Sequence, residues 1–253
     1  MVSEAGFLSI LGLRVDLTSM AETVTKIVGW LSTRESRVVC VANVHMTMEA
    51  FDDPGLLDVL NSADMIVPDG MPLVWVSRMS GFSSVSRVRG PDLMLLLCKE
   101  AARLGFPVAL FGGRSGDLQE KLRHSLHQAA PGLQLAAAIA PPFTPMTPSE
   151  NDEFVRVINE SGARLLFVGI GCPKQEKWML AHRDRIHAVM IGVGAAFDLF
   201  SGVTRSAPRW LQDAGLEWLF RLATEPRRLW KRYLKHNPRF AFLAALQVWK
   251  SRS

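Results

Sequence analysis

Asp69 stands between Pro68 and Gly70 at the end of the stretch ADMIVPDG, and an ionised carboxylate at a strand end can take a proton from a hydroxyl group. An aspartate in that triplet also suits a turn or a helix cap, so its chemistry depends on its company. In RLLFVGIGCPKQEKW (164–178) an apolar run stops at Gly169 and Gly171, a pair that lets the backbone turn sharply and offers amides to phosphate oxygens. LFGGRSG contributes Gly112 and Gly113, and AVMIGVG contributes Gly194. Asn43, His45, Gln175 and Asp198 add groups suited to sugar hydroxyls. Asp69 would then remove a proton from an acceptor hydroxyl while an anionic diphosphate departs on the opposite side. The departing charge would fall to backbone amides and to arginines of the tail, for which Arg221, Arg228 and Arg232 are the candidates. No Asp-x-Asp occurs, and His182 and His187 lack the i, i+4 spacing of a helical metal pair, so a metal-free, cofactor-free site is expected.

These groups need a scaffold that delivers them to one edge. LSILGLRVDL reads as a short strand, followed by a helix from Thr18 or Ser19 with Glu22 placed for a capping box. RVVCVAN (37–43) is a strand ending at Asn43, and a helix over about 46–61 leads to the strand that ends at Asp69. Helices are expected from Pro72 to Met79, from Pro91 to about Leu104, after GGRSG, over 147–161 and over 173–184. Further strands lie near 107–112, 133–140, 165–168 and 188–194. Strands alternating with helices at this spacing predict an α/β, Rossmann-like, doubly wound and mainly parallel sheet, with its site at the carboxyl ends of the strands. Residues 1–202 would form the catalytic domain and 203–253 a basic helical appendage broken at Pro226 and Pro238.

Composition narrows the function classes. Apolar residues make up 48% of the 253 and charged residues 21%, a globular balance. Cys40, Cys98 and Cys172 are widely spaced, which argues against a disulfide framework or a zinc site and suits a reducing cytosol. The N-terminus lacks the basic flank and apolar run of a signal peptide, and no segment reaches the ~18 apolar residues of a membrane span. Charge is unevenly spread: residues 203–253 carry eleven Lys and Arg against three Asp and Glu, a balance of +8, leaving −3 for residues 1–202. Four of the seven tryptophans are also in that tail. Such a segment suits an acidic partner, whether phospholipid head groups, nucleic-acid phosphates or a diphosphate substrate. A nucleic-acid-binding module would explain the tail but leave Asp69 and the glycine turns without a role. A nicotinamide oxidoreductase is disfavoured, because the strand after GGRSG ends in Ala140-Pro141-Pro142 rather than in an acidic residue that would hold the ribose.

Taken together, NVH (43–45), VPDGMPLVW (67–75), RVRGPDL (87–93), LFGGRSG (110–116), FVGIGCPKQEKW (167–178), GVGAAFDLFSG (192–202), RSAPRW (205–210) and GLEWLFRLATEPRRLWKRYL (215–234) resemble the WecG/TagA/CpsF family, glycosyltransferase family 26. The resemblance spans about residues 8 to 235. It implies an inverting, metal-independent transfer from a UDP-sugar donor to a polyprenyl-diphosphate-linked sugar acceptor, in wall or exopolysaccharide assembly. It also implies a cytoplasmic enzyme peripheral to the inner face of the bacterial membrane, with an anionic membrane surface rather than nucleic acid as partner. In that reading Asp69 is the general base and Gln175 meets the sugar or nucleotide. Arg221, Arg228 and a basic residue at Lys231 or Arg232 close over the diphosphate. Val41 stands where the family commonly has threonine, so glucose or another hexose is as admissible a donor sugar as N-acetylmannosamine. The oligomeric state stays open, a homo-oligomer included.

Overall fold

The structure is a computed structural model that describes residues 6–252 apart from 114 and 143; of GGRSG, Arg114 therefore lies outside the described residues. Chain order begins with β1 (Phe7–Ile10), β2 (Leu13–Asp16), α1 (Met20–Leu31), β3 (Arg37–Ala42), α2 (Val44–Asp52), α3 (Pro54–Asn61) and β4 (Met65–Pro68). It continues with α4 (Met71–Met79), α5 (Gly90–Leu104), β5 (Val108–Gly112), α6 (Gly116–Ala129), β6 (Leu135–Ile139), α7 (Pro148–Glu160), β7 (Leu165–Gly169), α8 (Lys174–Ala181) and β8 (Val189–Gly192). The last elements are α9 (Ala196–Phe200), α10 (Arg209–Asp213), α11 (Glu217–Thr224) and α12 (Pro226–Arg252).

Six strands form one parallel sheet in the order β4-β3-β8-β7-β5-β6, the Rossmann-like architecture expected. Successive side chains of a strand point to opposite faces, and both faces are covered. Val38, Cys40, Leu166, Val168 and Met190 face α2, α3, α4, α7 and α8. Val39, Val41, Leu165, Phe167 and Ile191 face α1, α5, α6 and α9. This alternation is why the strands read as continuous apolar runs.

Three expectations are corrected. LSILGLRVDL is a hairpin, not one strand, because Leu11 and Gly12 take φ of 50° and 90° and turn β1 back onto β2. The helix over 46–61 is two, since Asp53 Oδ1 accepts from the Leu56 amide at 3.1 Å and starts α3 at Pro54, whose missing N–H is harmless there. Pro238 does not break the tail: α12 runs through it. A proline inside a helix costs about 3 kcal/mol. Burial of Phe240, Ala244 and Val248 in the same apolar cluster as β3 and β7 opposes that cost. Of the aromatic and aliphatic tail residues, Leu229 and Phe240 are buried, whereas Trp218, Trp230 and Phe242 are exposed.

Candidate active site

The carboxyl ends of β3 and β4 hold Asp69 in place. Its amide donates to the Ala42 carbonyl at 2.7 Å, and the next amide, of Gly70, reaches the same oxygen at 3.3 Å. Arg87 Nε donates to the Asp69 carbonyl oxygen, and Arg87 Nη2 lies 3.4 Å from Asp69 Oδ1. The same nitrogen donates to Glu217 Oε2 at 2.8 Å, and Arg89 Nε donates to that oxygen at 3.0 Å. Arg89 also reaches Ser206 Oγ at 3.2 Å, so α11 and the segment before α10 are tied to the sheet edge. Burial pushes the Asp69 carboxyl above its ordinary range; the Arg87 charge pulls it down, Glu217 pushes it up, and Arg89 and Arg221 pull it down. Sequence reasoning passed over Arg87, Arg89 and Glu217. Two arginines alternating in RVRGPDL were the available signal, but their acid partner lies in the tail.

The glycines divide into two kinds. A Cβ on Gly112, whose φ is 142°, would come within 2.6 Å of the Gly169 carbonyl oxygen, so this glycine lets the ends of β5 and β7 pack together and does not line the cleft. Gly113, Gly169, Gly171 and Gly194 do line it. The Gly171 amide is not open to a phosphate, because it donates to Gln175 Oε1 at 3.2 Å. Gln175 Nε2 in turn donates to Glu176 Oε1 at 2.7 Å, which makes Gln175 a brace at the cleft floor. Pro173, joined to Cys172 by a cis peptide, precedes α8 rather than opening its first turn. Asn43 likewise serves the fold, capping α2 by accepting from the Met46 amide at 3.2 Å.

Two cavities meet at Asp69. One, of about 720 Å³, is lined by Val41, the four glycines, Gln175, Asp198, Arg205 and Arg228. The other, of about 970 Å³, runs between α4 and α12 along Trp75, Met79, Trp218, Trp230 and Trp249. Asn43, His45, Asp69, Glu217, Arg221 and Arg232 line both. Lys231 lines neither; its ammonium lies over the Trp230 ring, 5.6 Å from the centroid.

The sequence model described as Glycosyl transferase WecG/TagA/CpsF family matches residues 8–253. The chain belongs to that family. It is also 31% identical over 206 residues, 81% of this chain and 77% of the relative, to the N-acetylglucosaminyldiphosphoundecaprenol N-acetyl-beta-D-mannosaminyltransferase of Bacillus spizizenii (strain ATCC 23059 / NRRL B-14472 / W23). This WecG/TagA/CpsF protein is therefore a glycosyltransferase, which sets aside the nucleic-acid-binding module and the nicotinamide oxidoreductase. The family match extends through the basic tail.

In this glycosyltransferase Arg228 spans the tail and the core, with Nη2 2.7 Å from Glu225 Oε2 and Nη1 3.5 Å from Asp198 Oδ2. Arg221 forms no ion pair among the described residues, and Arg232 Nε is buried without a hydrogen-bond partner. His45 faces Glu49 and His236 rather than a free wall, and burial, with Arg232 next in effect, lowers it to about 4, so the imidazole is neutral.

Glu176 lines the same cleft. It is fully buried, its Oε2 has no hydrogen-bond partner, and burial lifts its carboxyl from 4.5 to about 7. A folded-state value raised above the unfolded one means stability that is fully present below about 4.5 and lost as pH rises through about 7. Glu176→Gln keeps an acceptor for Gln175. It is expected to be more stable than the parent by up to about 3 kcal/mol at mildly alkaline pH, with no gain in acid. Urea midpoints across that range check this, and parallel profiles for parent and variant would contradict it.

Proposed function

We propose that this chain transfers a hexose or N-acetylhexosamine from a UDP-sugar to a sugar carried on a polyprenyl diphosphate, with inversion and with no metal at the departing diphosphate. The work belongs to cell-wall or exopolysaccharide assembly at the inner face of the bacterial cytoplasmic membrane. The observation that carries the reading is the position of Asp69 where a polar, arginine-lined cleft meets an apolar groove. A nucleoside diphosphate sugar suits the first and a lipid-borne acceptor the second.

The acceptor hydroxyl attacks the anomeric carbon, its proton passes to the Asp69 carboxylate, and the bond from that carbon to the diphosphate oxygen breaks on the far side. One displacement of this kind inverts the configuration. An upward-shifted carboxylate that is still ionised is a stronger base, which favours this role. Arg221, Arg228 and Arg232 offset the charge gathering on UDP, a task for which guanidinium groups suit two neighbouring phosphates. Arg228 would exchange Asp198 and Glu225 for the diphosphate, making residues 203–253 a lid. Exposed Trp218, Trp230, Leu234, Phe242 and Trp249 and the tail's +8 balance support contact with an anionic membrane. Among the described residues no helix is long and apolar enough to cross one. The named relative's N-acetylglucosaminyldiphosphoundecaprenol acceptor supports the acceptor class.

UDP release from UDP-N-acetylmannosamine, UDP-glucose and UDP-N-acetylglucosamine, each with a diphospholipid-linked sugar, tests the proposal. One donor is expected to turn over, and only with acceptor present. Release with none of them, or release indifferent to acceptor, would overturn it. Because Val41 is in the cleft wall and packs near Gly90, the preferred donor also reports how that wall reads the sugar.

A further inference from the structure

Three side chains converge where α12 crosses α2 and have no role in the reaction above. Glu49 Oε1 lies 3.7 Å from His45 Nε2 and 3.3 Å from His236 Nε2, and the two imidazoles meet edge to face with centroids 5.5 Å apart. Their three ligand atoms fall within 4.8 Å of one another. His45 and Glu49 share one helix face at i, i+4 spacing, whereas His236 comes from the tail. No hydrogen bond joins the three among the described residues, and the longer separation exceeds hydrogen-bond reach. Glu49 is within ion-pair distance of both imidazoles, and the three groups present their ligand atoms to one point.

We propose that His45, Glu49 and His236 bind a divalent transition cation of the zinc class, which fastens the tail helix α12 to α2. Two imidazole nitrogens and one carboxylate oxygen form a donor set such ions accept, with a fourth position left for water. Metal-to-ligand lengths near 2 Å in a tetrahedron place neighbouring ligand atoms about 3.3 Å apart, close to both separations found. The ion needs unprotonated nitrogen, so its binding weakens in acid. His236 is buried, and its Nδ1 has no hydrogen-bond partner, so turning Nε2 toward a metal sacrifices no existing bond. Glu49 supplies the negative charge; Asp52, next along α2, is engaged by Arg239 at 2.5 Å and by Lys235 at 3.9 Å. Arg232 and Lys235 also face the cluster, and their charge is one the ion must overcome.

The cluster adjoins the cleft, since His45 lines both cavities and Arg232 faces it, but its test reads metal binding and does not depend on the glycosyl-transfer reading. Metal-stripped full-length protein would be titrated with Co²⁺ and followed by visible absorption and by the shifts of its histidine ring protons. One equivalent is expected to bind at micromolar concentration or below, moving two of the six histidines and raising the thermal midpoint. Glu49→Gln and His236→Gln should each weaken binding by about tenfold or more, while the exposed His187→Gln leaves it unchanged. The parent's own spectrum keeps the test decisive where a variant folds poorly. Shifts of other histidines, or binding only near millimolar Co²⁺, would overturn the assignment. So would equal affinity in Glu49→Gln.

Discussion

Asp69→Asn is expected to lower glycosyl transfer by about 10³-fold with the fold intact, a loss of the size general-base removal produces. Asparagine matches the shape of aspartate and still presents an oxygen to Arg87, whose contact with Oδ1 is already long at 3.4 Å. The Arg87 bond to the residue 69 carbonyl and the Arg87–Glu217 pair do not involve the carboxylate at all. What the substitution removes is the capacity to accept a proton. Thermal stability should therefore stay close to the parent's while UDP release with acceptor collapses. In the parent, the acid limb of kcat/KM should lie above the ordinary carboxylate range, because burial raises Asp69. Turnover preserved in Asp69→Asn, or an acid limb at an ordinary carboxylate value, would make Asp69 a structural residue instead.

Glu217→Ala carries the second large effect, on stability and pH dependence together. Glu217 is mostly buried between Arg87 and Arg89, whose donors lie 2.8 and 3.0 Å from its Oε2. Truncating it leaves two guanidinium groups beside one another with Asp69 as the acid next to Arg87. Removing one partner of a buried pair costs about 3 kcal/mol, because the charge left behind has lost its compensation. The tail should open first, so cleavage by a protease within 203–225 should speed up before global unfolding. Glu217 also helps raise Asp69, and the freed arginines lower it, so the acid limb of kcat/KM should move to lower pH. Glu217→Gln should shift that limb in the same direction with a smaller loss of stability. A Glu217→Ala protein with the parent's urea midpoint and pH limb would show that the bridge holds nothing.

The layered fold was legible because strand and helix periodicity are local properties. RVVCVA and LLFVG read as doubly buried strands for the reason the structure displays: successive side chains enter two apolar clusters on opposite faces of one sheet. Ser19 with Glu22 and Thr147 with Glu150 each form the capping box that begins a helix, and such signals act within four residues. The turn at Leu11-Gly12 and the passage of α12 through Pro238 were misread on the same local logic. In the second case long-range burial outweighed propensity.

By itself the sequence determined the alternation of elements, the delivery of Asp69 and the glycine turns to strand ends, the basic tail and the family. Each of these follows from residue type and short spacing. Tertiary structure alone decided the rest: that Glu217 bridges Arg87 and Arg89, that Arg232 rather than Lys231 lines both cavities, that Gly171 gives its amide to Gln175, and that His236 meets His45 and Glu49. The Glu217 and His236 pairings join segments far apart in the chain, whereas Gly171 and Gln175 are four residues apart and meet through the turn before α8. Electrostatic partnership depends on distance and burial, neither of which spacing along a sequence contains.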